Sequence, residues 1–324
     1  MKRALITGVA GFAGSHLADH LRAIGQYDVF GIVQSPEDAA AAPISPDRAI
    51  IADLIDPVAT RKAIERCEPE LVFHLAAMAW SAASWNDPWG VMENNVRAQT
   101  NILEALTVVA PQARLLIVSS AEVYGKLKPN EIPVGEETPL RPATPYAASK
   151  VAQEMMGIAF AEAKGLEIIR VRPFNHIGPR QKPGFVATDF AKQIASAELG
   201  LKPPIIRVGN LDVERDFTDV RDIAKAYRLI IEEGQPGDVY NIGSGRAISV
   251  QKILDGLLRA AQIEIEVEKD PALQRPAETP RVVANISRMR AVTSWSPERD
   301  LMQTLAEVMD DWRDRLQEKT RVAT

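Results

Sequence analysis

The feature that most constrains this chain is a set of three glycines, spaced three residues apart, near its amino terminus. Gly8, Gly11 and Gly14 follow a short apolar run at residues 4–7 and precede a helical pattern at residues 13–24. Glycine permits a tight turn between strand and helix and lets backbone amides approach an anion, which then faces the positive end of the helix. This context predicts an α/β fold that binds a dinucleotide.

Short apolar runs alternate with helical patterns over the first two-thirds of the chain. The runs are apolar on both faces, which is typical of parallel strands covered by helices. Predicted strands are 4–7, 28–33, 49–52, 71–75, 114–119 and 167–172, and predicted helices are 13–24, 58–66, 89–109 and 146–164. We therefore expect a doubly wound parallel Rossmann sheet.

After residue 172 the pattern loosens into shorter elements with many prolines. We predict strands at 205–208, 239–241 and 263–267, helices at 189–199, 220–232 and 250–261, and a surface loop around the alanines at 39–42. A chain of 324 residues exceeds what one core usually holds. We expect residues 1–172 to form the dinucleotide-binding domain, with 220–243 returning to it. Residues 173–219 and 244–324 would form a smaller, discontinuous α/β substrate lobe.

Composition excludes several classes of protein. The net charge of -5 argues against a nucleic-acid binder, and no apolar stretch approaches the roughly 18 residues of a membrane span. The single cysteine, Cys67, excludes an internal disulfide and favours the cytoplasm. His16 and His20 share a helix face, but no third ligand is evident, so we expect no metal site and a solvated helix face.

Three polar residues are placed for catalysis. Ser120 ends the fifth predicted strand, at the edge where ligands bind in such sheets, and Tyr146 and Lys150 are four residues apart on the next long helix. An ammonium beside a phenol lowers the pKa of the phenol towards the working range, so we expect Lys150 to act on Tyr146 in this way. Ser120 would donate to a substrate oxygen that gains charge during hydride transfer.

These residues, together with the glycine turn, the His74-Leu75-Ala76-Ala77 run and Asn95-Val96, resemble the extended short-chain dehydrogenase/reductase family over nearly the whole chain. The resemblance implies NADPH or NADH as cofactor, a Ser-Tyr-Lys triad and a homodimer built from two long helices. It implies that Asn95 supports the sheet next to Lys150. The predicted cofactor-binding residues are Gly8, Gly11, Phe12, Ala13, Gly14, Gln34, Asp53, Leu54, Leu75, Ala76, Ala77, Asn95, Tyr146 and Lys150.

The end of the second strand gives no clear cofactor preference. An acidic residue there binds the ribose diol of NAD, and an arginine binds the extra phosphate of NADP. The sequence reads Ile32-Val33-Gln34-Ser35, with neither signal. We therefore expect relaxed use of the two cofactors.

Several later motifs carry a narrower resemblance, namely Arg172-Pro173-Phe174-Asn175-His176-Ile177-Gly178-Pro179, Gly184-Phe185-Val186, Arg215-Asp216-Phe217-Thr218-Asp219-Val220 and Arg275-Pro276-Ala277-Glu278. They resemble the GDP-mannose branch of the family, which contains 4,6-dehydratases and 4-keto-6-deoxy-mannose reductases. The segment 174–194 is most similar to the reductases. A diphosphate in an acidic protein needs placed cations, so Arg215 and Arg275 are candidates, with Lys192 as a point charge and Glu278 for the guanine edge. The predicted substrate-binding residues are Asn175, Phe185, Val186, Lys192, Arg215, Arg275 and Glu278.

Four functions stay open at this point, three enzymatic and one not. The first is reduction of a GDP-4-keto-6-deoxy sugar, favoured by the absence of basic residues after Gln34. The second is 4,6-dehydration, for which the resemblance implies that the candidate catalytic residue Glu122 removes a proton beside the keto group. Reductases of this branch keep this glutamate, so Glu122 does not decide between the two. A 4-epimerase is a more distant alternative. A cofactor-sensing protein without catalysis is disfavoured because Ser120, Tyr146 and Lys150 are all present.

Overall fold

The computed structural model describes residues 1–79, 81–273 and 279–323. The strands are β1 (Lys2–Thr7), β2 (Tyr27–Val33), β3 (Ala49–Ile51), β4 (Leu71–His74), β5 (Arg114–Val118), β6 (Glu167–Pro173), β7 (Asn175–Ile177), β8 (Ile205–Val208), β9 (Glu214–Asp219), β10 (Val239–Ile242), β11 (Ala247–Ser249), β12 (Glu266–Lys269) and β13 (Arg281–Val282). The helices are α1 (Phe12–Ile24), α2 (Pro36–Ala41), α3 (Pro57–Cys67), α4 (Pro88–Val109), α5 (Pro145–Lys164), α6 (Val186–Glu198), α7 (Val220–Glu233), α8 (Val250–Ala260), α9 (Ser287–Val292) and α10 (Leu301–Ala323).

The main sheet of the described chain has seven parallel strands in the order β10-β6-β5-β4-β1-β2-β3. This arrangement confirms the predicted Rossmann-type fold. The six strands and four helices predicted for the first two-thirds all form, with ends within two residues of the prediction. Because parallel strands all point the same way, the residues that follow β1, β4, β5 and β6 meet at one edge of the sheet.

Apolar layers cover both faces of this sheet. On one face Leu17 and Leu21 of α1 and Ile230 of α7 belong to one fully buried core. On the other face α3, α4 and α5 pack, and Ile64 and Ile102 are fully buried there. Both layers pack against the strands beneath the edge where polar residues gather.

Proline and a capping side chain begin the helices that matter for the site. Asp87 accepts from the Gly90 amide at the start of α4, and Thr144 accepts from the Ala147 amide at the start of α5. Each is followed by a proline, whose missing N–H costs nothing in the first turn. The first turn of α5, which carries Tyr146, is therefore fixed by local sequence.

A third buried core lies among α6, α8, α10 and β8, with Ile194, Leu254 and Leu305 fully buried. The strand predicted at 263–267 is displaced to β12, which pairs with β8 and is solvent-exposed. Pairing with β8 sets the position of β12. Ile263, at the start of the predicted strand, is 41% exposed, so its burial does not hold a strand there. The division of the chain into two lobes stays a prediction.

The stretch 39–42, predicted to be a surface loop, lies mostly in the short helix α2. Ser35 caps this helix by accepting from the Asp38 amide at 3.1 Å, and Pro36 occupies its first position. The prediction was wrong because alanine is a strong helix former once a cap is present. Among residues 1–79, 81–273 and 279–323, no helix combines the length and apolarity that a membrane crossing requires.

Candidate active site

The glycine turn brings backbone, and no side chain, to the end of β1. Gly8 has φ +69°, and a Cβ there would lie 3.1 Å from the backbone of Ala76. A Cβ on Gly14 would lie 2.2 Å from the Gly8 carbonyl oxygen. Gly11 caps α1, and its amide donates to that same oxygen at 2.9 Å. This close packing places the backbone of the turn at the amino end of α1, where the partial positive charge of a helix favours an anion such as a pyrophosphate.

The ring of Phe12 lies between two histidines beside this turn. It stacks on His176 at 5.7 Å and meets His16 edge-on at 5.7 Å. Arg180 donates to His16 Nδ1 at 2.7 Å, so the His16 proton is on Nε2, which lies 2.9 Å from the Pro179 carbonyl oxygen. Burial lowers the pKa of His16 to about 4. The expectation of a solvated helix face was wrong, because His16 links α1 to the segment after β7.

A buried polar chain runs below the end of β4. Thr7 Oγ1 accepts from the Ala76 amide at 3.1 Å and lies 2.9 Å from His74 Nδ1. The Gln153 amide nitrogen lies 3.3 Å from the other ring nitrogen of His74. Burial lowers the pKa of His74 to about 3, which keeps the ring neutral. His74 therefore orients the run Leu75–Ala77 and has no free donor for a ligand.

Asn95 connects three elements at this edge. It is fully buried, and its amide donates to Ser149 Oγ at 2.9 Å. Its carbonyl oxygen accepts from the Met78 amide at 2.8 Å. Asn95 of α4 thus holds the segment after β4 against α5, one residue from Lys150.

The residues predicted for the adenosine end lie where β2 and β3 finish. Gln34 and Asp53 are exposed, whereas Leu54 is buried. Asp53 accepts from the Ile55 amide at 3.1 Å. Arg3 lies at the opposite edge of the sheet, where its Nε donates to the Glu68 carbonyl oxygen at 2.7 Å. Arg3 therefore does not supply charge to this end.

The catalytic candidates surround the carboxyl end of β5. Ser120 starts a short 3₁₀ helix and accepts from the Glu122 amide at 3.1 Å. Tyr146 lies in the first turn of α5, and Lys150 follows one turn later. Lys150 Nζ donates to the Val118 carbonyl oxygen at 2.9 Å and lies 5.9 Å from the centre of the Tyr146 ring.

The electrostatics of Tyr146 differ from the prediction. Burial, and then the negative charge of Glu122, raise the pKa of Tyr146, while a side-chain interaction with Ser120 acts in the opposite direction. Lys150, 5.9 Å from the centre of the ring, is not among the groups that shift the pKa of Tyr146. Burial lowers the pKa of Lys150 itself to about 8, opposed by Glu154. A phenol with a raised pKa stays protonated at neutral pH and is suited to donate a proton.

Glu122 has partners that the sequence analysis missed. Ser81 donates to its carboxylate at 2.5 Å and lies 3.2 Å from Thr144 Oγ1. Thr144 is the capping residue of α5, so the carboxylate, Ser81 and the start of the Tyr146 helix form one cluster. Thr144 could have been found from the Thr-Pro pair that begins α5. Ser81 gave no comparable signal.

A model of a known family, GDP-mannose 4,6 dehydratase, matches residues 5–308. A GDP-6-deoxy-D-mannose reductase of Pseudomonas aeruginosa is 34% identical over 98% of this chain and 99% of its own length. The chain belongs to the GDP-mannose 4,6-dehydratase family.

Solved structures agree with this assignment. RMD from Pseudomonas aeruginosa, complexed with NADPH, is 32% identical with a TM-score of 0.85, over 97% of this chain and 100% of that one. The UDP-glucose 4-epimerase of Thermus thermophilus, in complex with NAD, is 28% identical with a TM-score of 0.83, over 96% and 99%. The predicted extended short-chain dehydrogenase/reductase enzyme is confirmed.

The predicted substrate residues of this family member lie on three elements. Asn175 on β7 is exposed, and Phe185, 37% exposed, immediately precedes Val186 at the start of α6. Arg215 on β9 donates to the Glu214 carbonyl oxygen at 2.9 Å. Arg275 and Glu278 lie outside the described residues.

Lys192 points along α6 towards the last helix. Its Nζ lies 5.9 Å from the centre of the Trp312 ring on α10. Its assignment to a substrate diphosphate stays a prediction. Among the described residues, no group of three or more His, Cys, Asp or Glu side chains is arranged to hold a metal ion.

The pKa directions predict the pH dependence of catalysis by this family member. Tyr146 stays protonated across the working range because its pKa is raised, whereas Lys150 loses its charge as pH rises through about 8. We expect kcat/KM for reduction to be level from pH 6 to 7.5 and to fall above about pH 8. Initial rates in a constant-ionic-strength buffer series would measure this. A rate that rises between pH 8 and 10 would contradict the assignment, because it would require the phenolate.

Proposed function

We propose that this protein reduces the 4-keto group of GDP-4-keto-6-deoxy-D-mannose to GDP-6-deoxy-D-mannose (GDP-D-rhamnose), with hydride from NADPH or NADH. The observation that carries the proposal is the 34% identity to a GDP-6-deoxy-D-mannose reductase over nearly the full length of both chains. The protonated state of Tyr146 supports it, since reduction of a ketone ends with a proton transfer to oxygen.

The glycine turn fits a dinucleotide, because Gly8 and Gly14 pack without side chains against the Ala76 backbone and the Gly8 carbonyl oxygen. The backbone of the turn thereby lies at the amino end of α1, where a pyrophosphate binds. When bound, the reduced cofactor supplies the hydride. Lys150 would hold the nicotinamide ribose. Ser120 would donate to the keto oxygen, where negative charge develops, and Tyr146 would donate its proton to that same oxygen. Burial of Tyr146 and Lys150 excludes water from the transfer.

A 4,6-dehydratase is the second candidate, favoured by one observation. Glu122, whose carboxylate Ser81 holds, lies close enough to Tyr146 for its charge to raise the pKa of the phenol. In a dehydratase this carboxylate would remove the proton beside a newly formed keto group. The substrate distinguishes the two reactions, because a dehydratase converts GDP-mannose with no net consumption of reduced cofactor.

The reductase proposal predicts that NADPH or NADH is oxidised only when GDP-4-keto-6-deoxy-mannose is present. Tyr146→Phe should lower kcat by about 10²–10⁴-fold, the usual range for acid catalysis, and leave the Kd for NADPH within threefold. Absorbance at the nicotinamide band and a fluorescence titration measure these. Conversion of GDP-mannose alone would favour the dehydratase, and a Tyr146→Phe variant above a tenth of the wild-type rate would remove Tyr146 from the acid role.

Cofactor preference should be weak in the wild type. The stretch 34–48 holds a single cationic residue, Arg48, which is paired with Asp28 at 2.8 Å. The 2′-phosphate of NADPH then gains no charged contact with this stretch, and Gln34 at the end of β2 offers no carboxylate to the ribose diol of NADH. Each such contact would contribute roughly 1.5–3 kcal/mol. We expect the kcat/KM values for NADPH and NADH to lie within about two powers of ten.

Gln34 is exposed and permits a matched pair of variants at one position. Gln34→Arg should shift preference towards NADPH, and Gln34→Asp should shift it towards NADH. Ser35 is a poorer choice, because it caps α2. A wild-type preference above a thousandfold would show that another residue reaches the ribose.

We also propose a homodimer built from α4 and α5, which lie side by side. Val108 and Met155 on their outer face are 62% and 45% exposed, and pairing of two copies would cover them. Light scattering at micromolar concentration should give twice the mass of the chain for the wild type. The Met155→Glu variant should give the mass of a single chain. Val58→Glu, at an apolar residue 59% exposed on α3, is the matched control and should leave the dimer intact. The cytoplasmic location stays a prediction.

A further inference from the structure

A fully buried carboxylate lies beneath the catalytic residues. Glu154 has no exposed surface and follows Lys150 by one turn of α5. It accepts from Arg172 through two nitrogens, at 2.9 Å and 2.6 Å. It also accepts from Ser119 Oγ at 2.5 Å. A buried ion pair needs such additional hydrogen bonds to offset the loss of hydration.

Besides its ion pair with Arg172, Glu154 has a contact with Ser119 that links it to the end of β5. Lys150 donates to the carbonyl oxygen of Val118, and Glu154 accepts from the side chain of Ser119. Two side chains, one helical turn apart on α5, therefore hold two successive residues at the end of β5. The next residue along that strand is Ser120, whose hydroxyl must face the substrate oxygen.

The charged and titratable groups around Lys150 come from several elements. His74 on β4 is kept neutral by burial, and Glu122 and Tyr124 lie on the 3₁₀ helix after β5. Arg170 and Arg172 on β6 both face Glu154, at 3.8 Å and 2.6 Å. Glu154 is the group whose charge raises the pKa of Lys150 against the effect of burial.

We propose that Glu154 is a positioning residue of the active site, which fixes Ser120 through Ser119 and keeps Lys150 charged. The inference rests on the proposed reductase for its kinetic readout and on cofactor binding for its second readout. Without the carboxylate, Ser119 would lose its side-chain contact with α5, and the contacts of Lys150 with Val118 and of Tyr146 with Ser120 would remain. Lys150 would then lose its proton at a lower pH.

The first experiment compares Ser119→Ala with the wild-type enzyme. This variant removes one hydroxyl and leaves the Glu154–Arg172 pair in place. We expect kcat to fall roughly tenfold, as for loss of one charge-assisted hydrogen bond, with KM for both substrates within twofold. Glu198→Gln is the matched control for the Glu154→Gln variant of the second experiment. Glu198 accepts from two nitrogens of Arg313 in the third core, at 2.7 Å and 2.8 Å, as Glu154 does from Arg172. The Glu198→Gln variant should lower the Tm and leave kcat unchanged.

The second experiment needs no turnover. Affinity for NADPH is measured by fluorescence from pH 6 to 10 for the wild type, Glu154→Gln and Lys150→Met. We expect the wild-type Kd to rise around pH 8, Glu154→Gln to show the rise about one pH unit lower, and Lys150→Met to show none. NADPH binding with this pattern but no reduction of the GDP-sugar would sink the proposed function and keep this inference. A kcat for Ser119→Ala within twofold of wild type, or an unmoved midpoint in Glu154→Gln, would overturn it.

Discussion

Burial of polar groups at the carboxyl edge of the parallel sheet governs the rest of this structure. The strands β1, β4, β5 and β6 all end at this edge, and the first turn of α5 covers it. Tyr146 is 7% exposed and Lys150 is 4% exposed, so both are removed from water before any ligand binds. Desolvation disfavours phenolate and ammonium alike, which raises the pKa of one and lowers that of the other. The protonation states of Tyr146 and Lys150 therefore depend on how far neighbouring groups offset this loss of hydration.

A set of buried hydrogen bonds connects the elements at this edge, with residues from β1, β4, β6, α4 and α5. Thr7, His74 and Gln153 join β1, β4 and α5, and Asn95 joins α4 to α5. Glu154 and Arg172 continue this layer beneath β5 and β6. Removing one member of such a buried network leaves its partner without a hydrogen bond, which costs about 1–3 kcal/mol. The network therefore holds Ser120, Tyr146 and Lys150 on packed elements, and the catalytic roles proposed for them require such precise placement.

Sequence reasoning predicted the elements of the sheet, because glycine spacing, apolar runs and helix periodicity are local signals. Ser120, Tyr146 and Lys150 lie at the edge where they were expected, and their catalytic roles stay a prediction. Sequence reasoning failed for properties that depend on three-dimensional neighbours. Lys150 was expected to lower the pKa of Tyr146, but its position against Val118 and its own burial are set by packing. His16 looked solvated because its partners, Pro179 and Arg180, are far away in the chain. Glu154 had a detectable signal, since an acidic residue at helical spacing after Tyr146 and Lys150 shares their buried face.

The two candidate reactions place different demands on the protonation state of Tyr146. A dehydratase must first take a proton from a sugar hydroxyl, which requires phenolate, and phenolate requires a nearby cation. Here the nearest ammonium lies 5.9 Å from the ring, has a pKa lowered to about 8, and is opposed by the charge of Glu122. A reductase needs only the phenol, which this environment favours without further adjustment. Burial and the charge of Glu122 thus both favour the phenol over the phenolate at Tyr146, which is the protonation state that the proposed reduction would use.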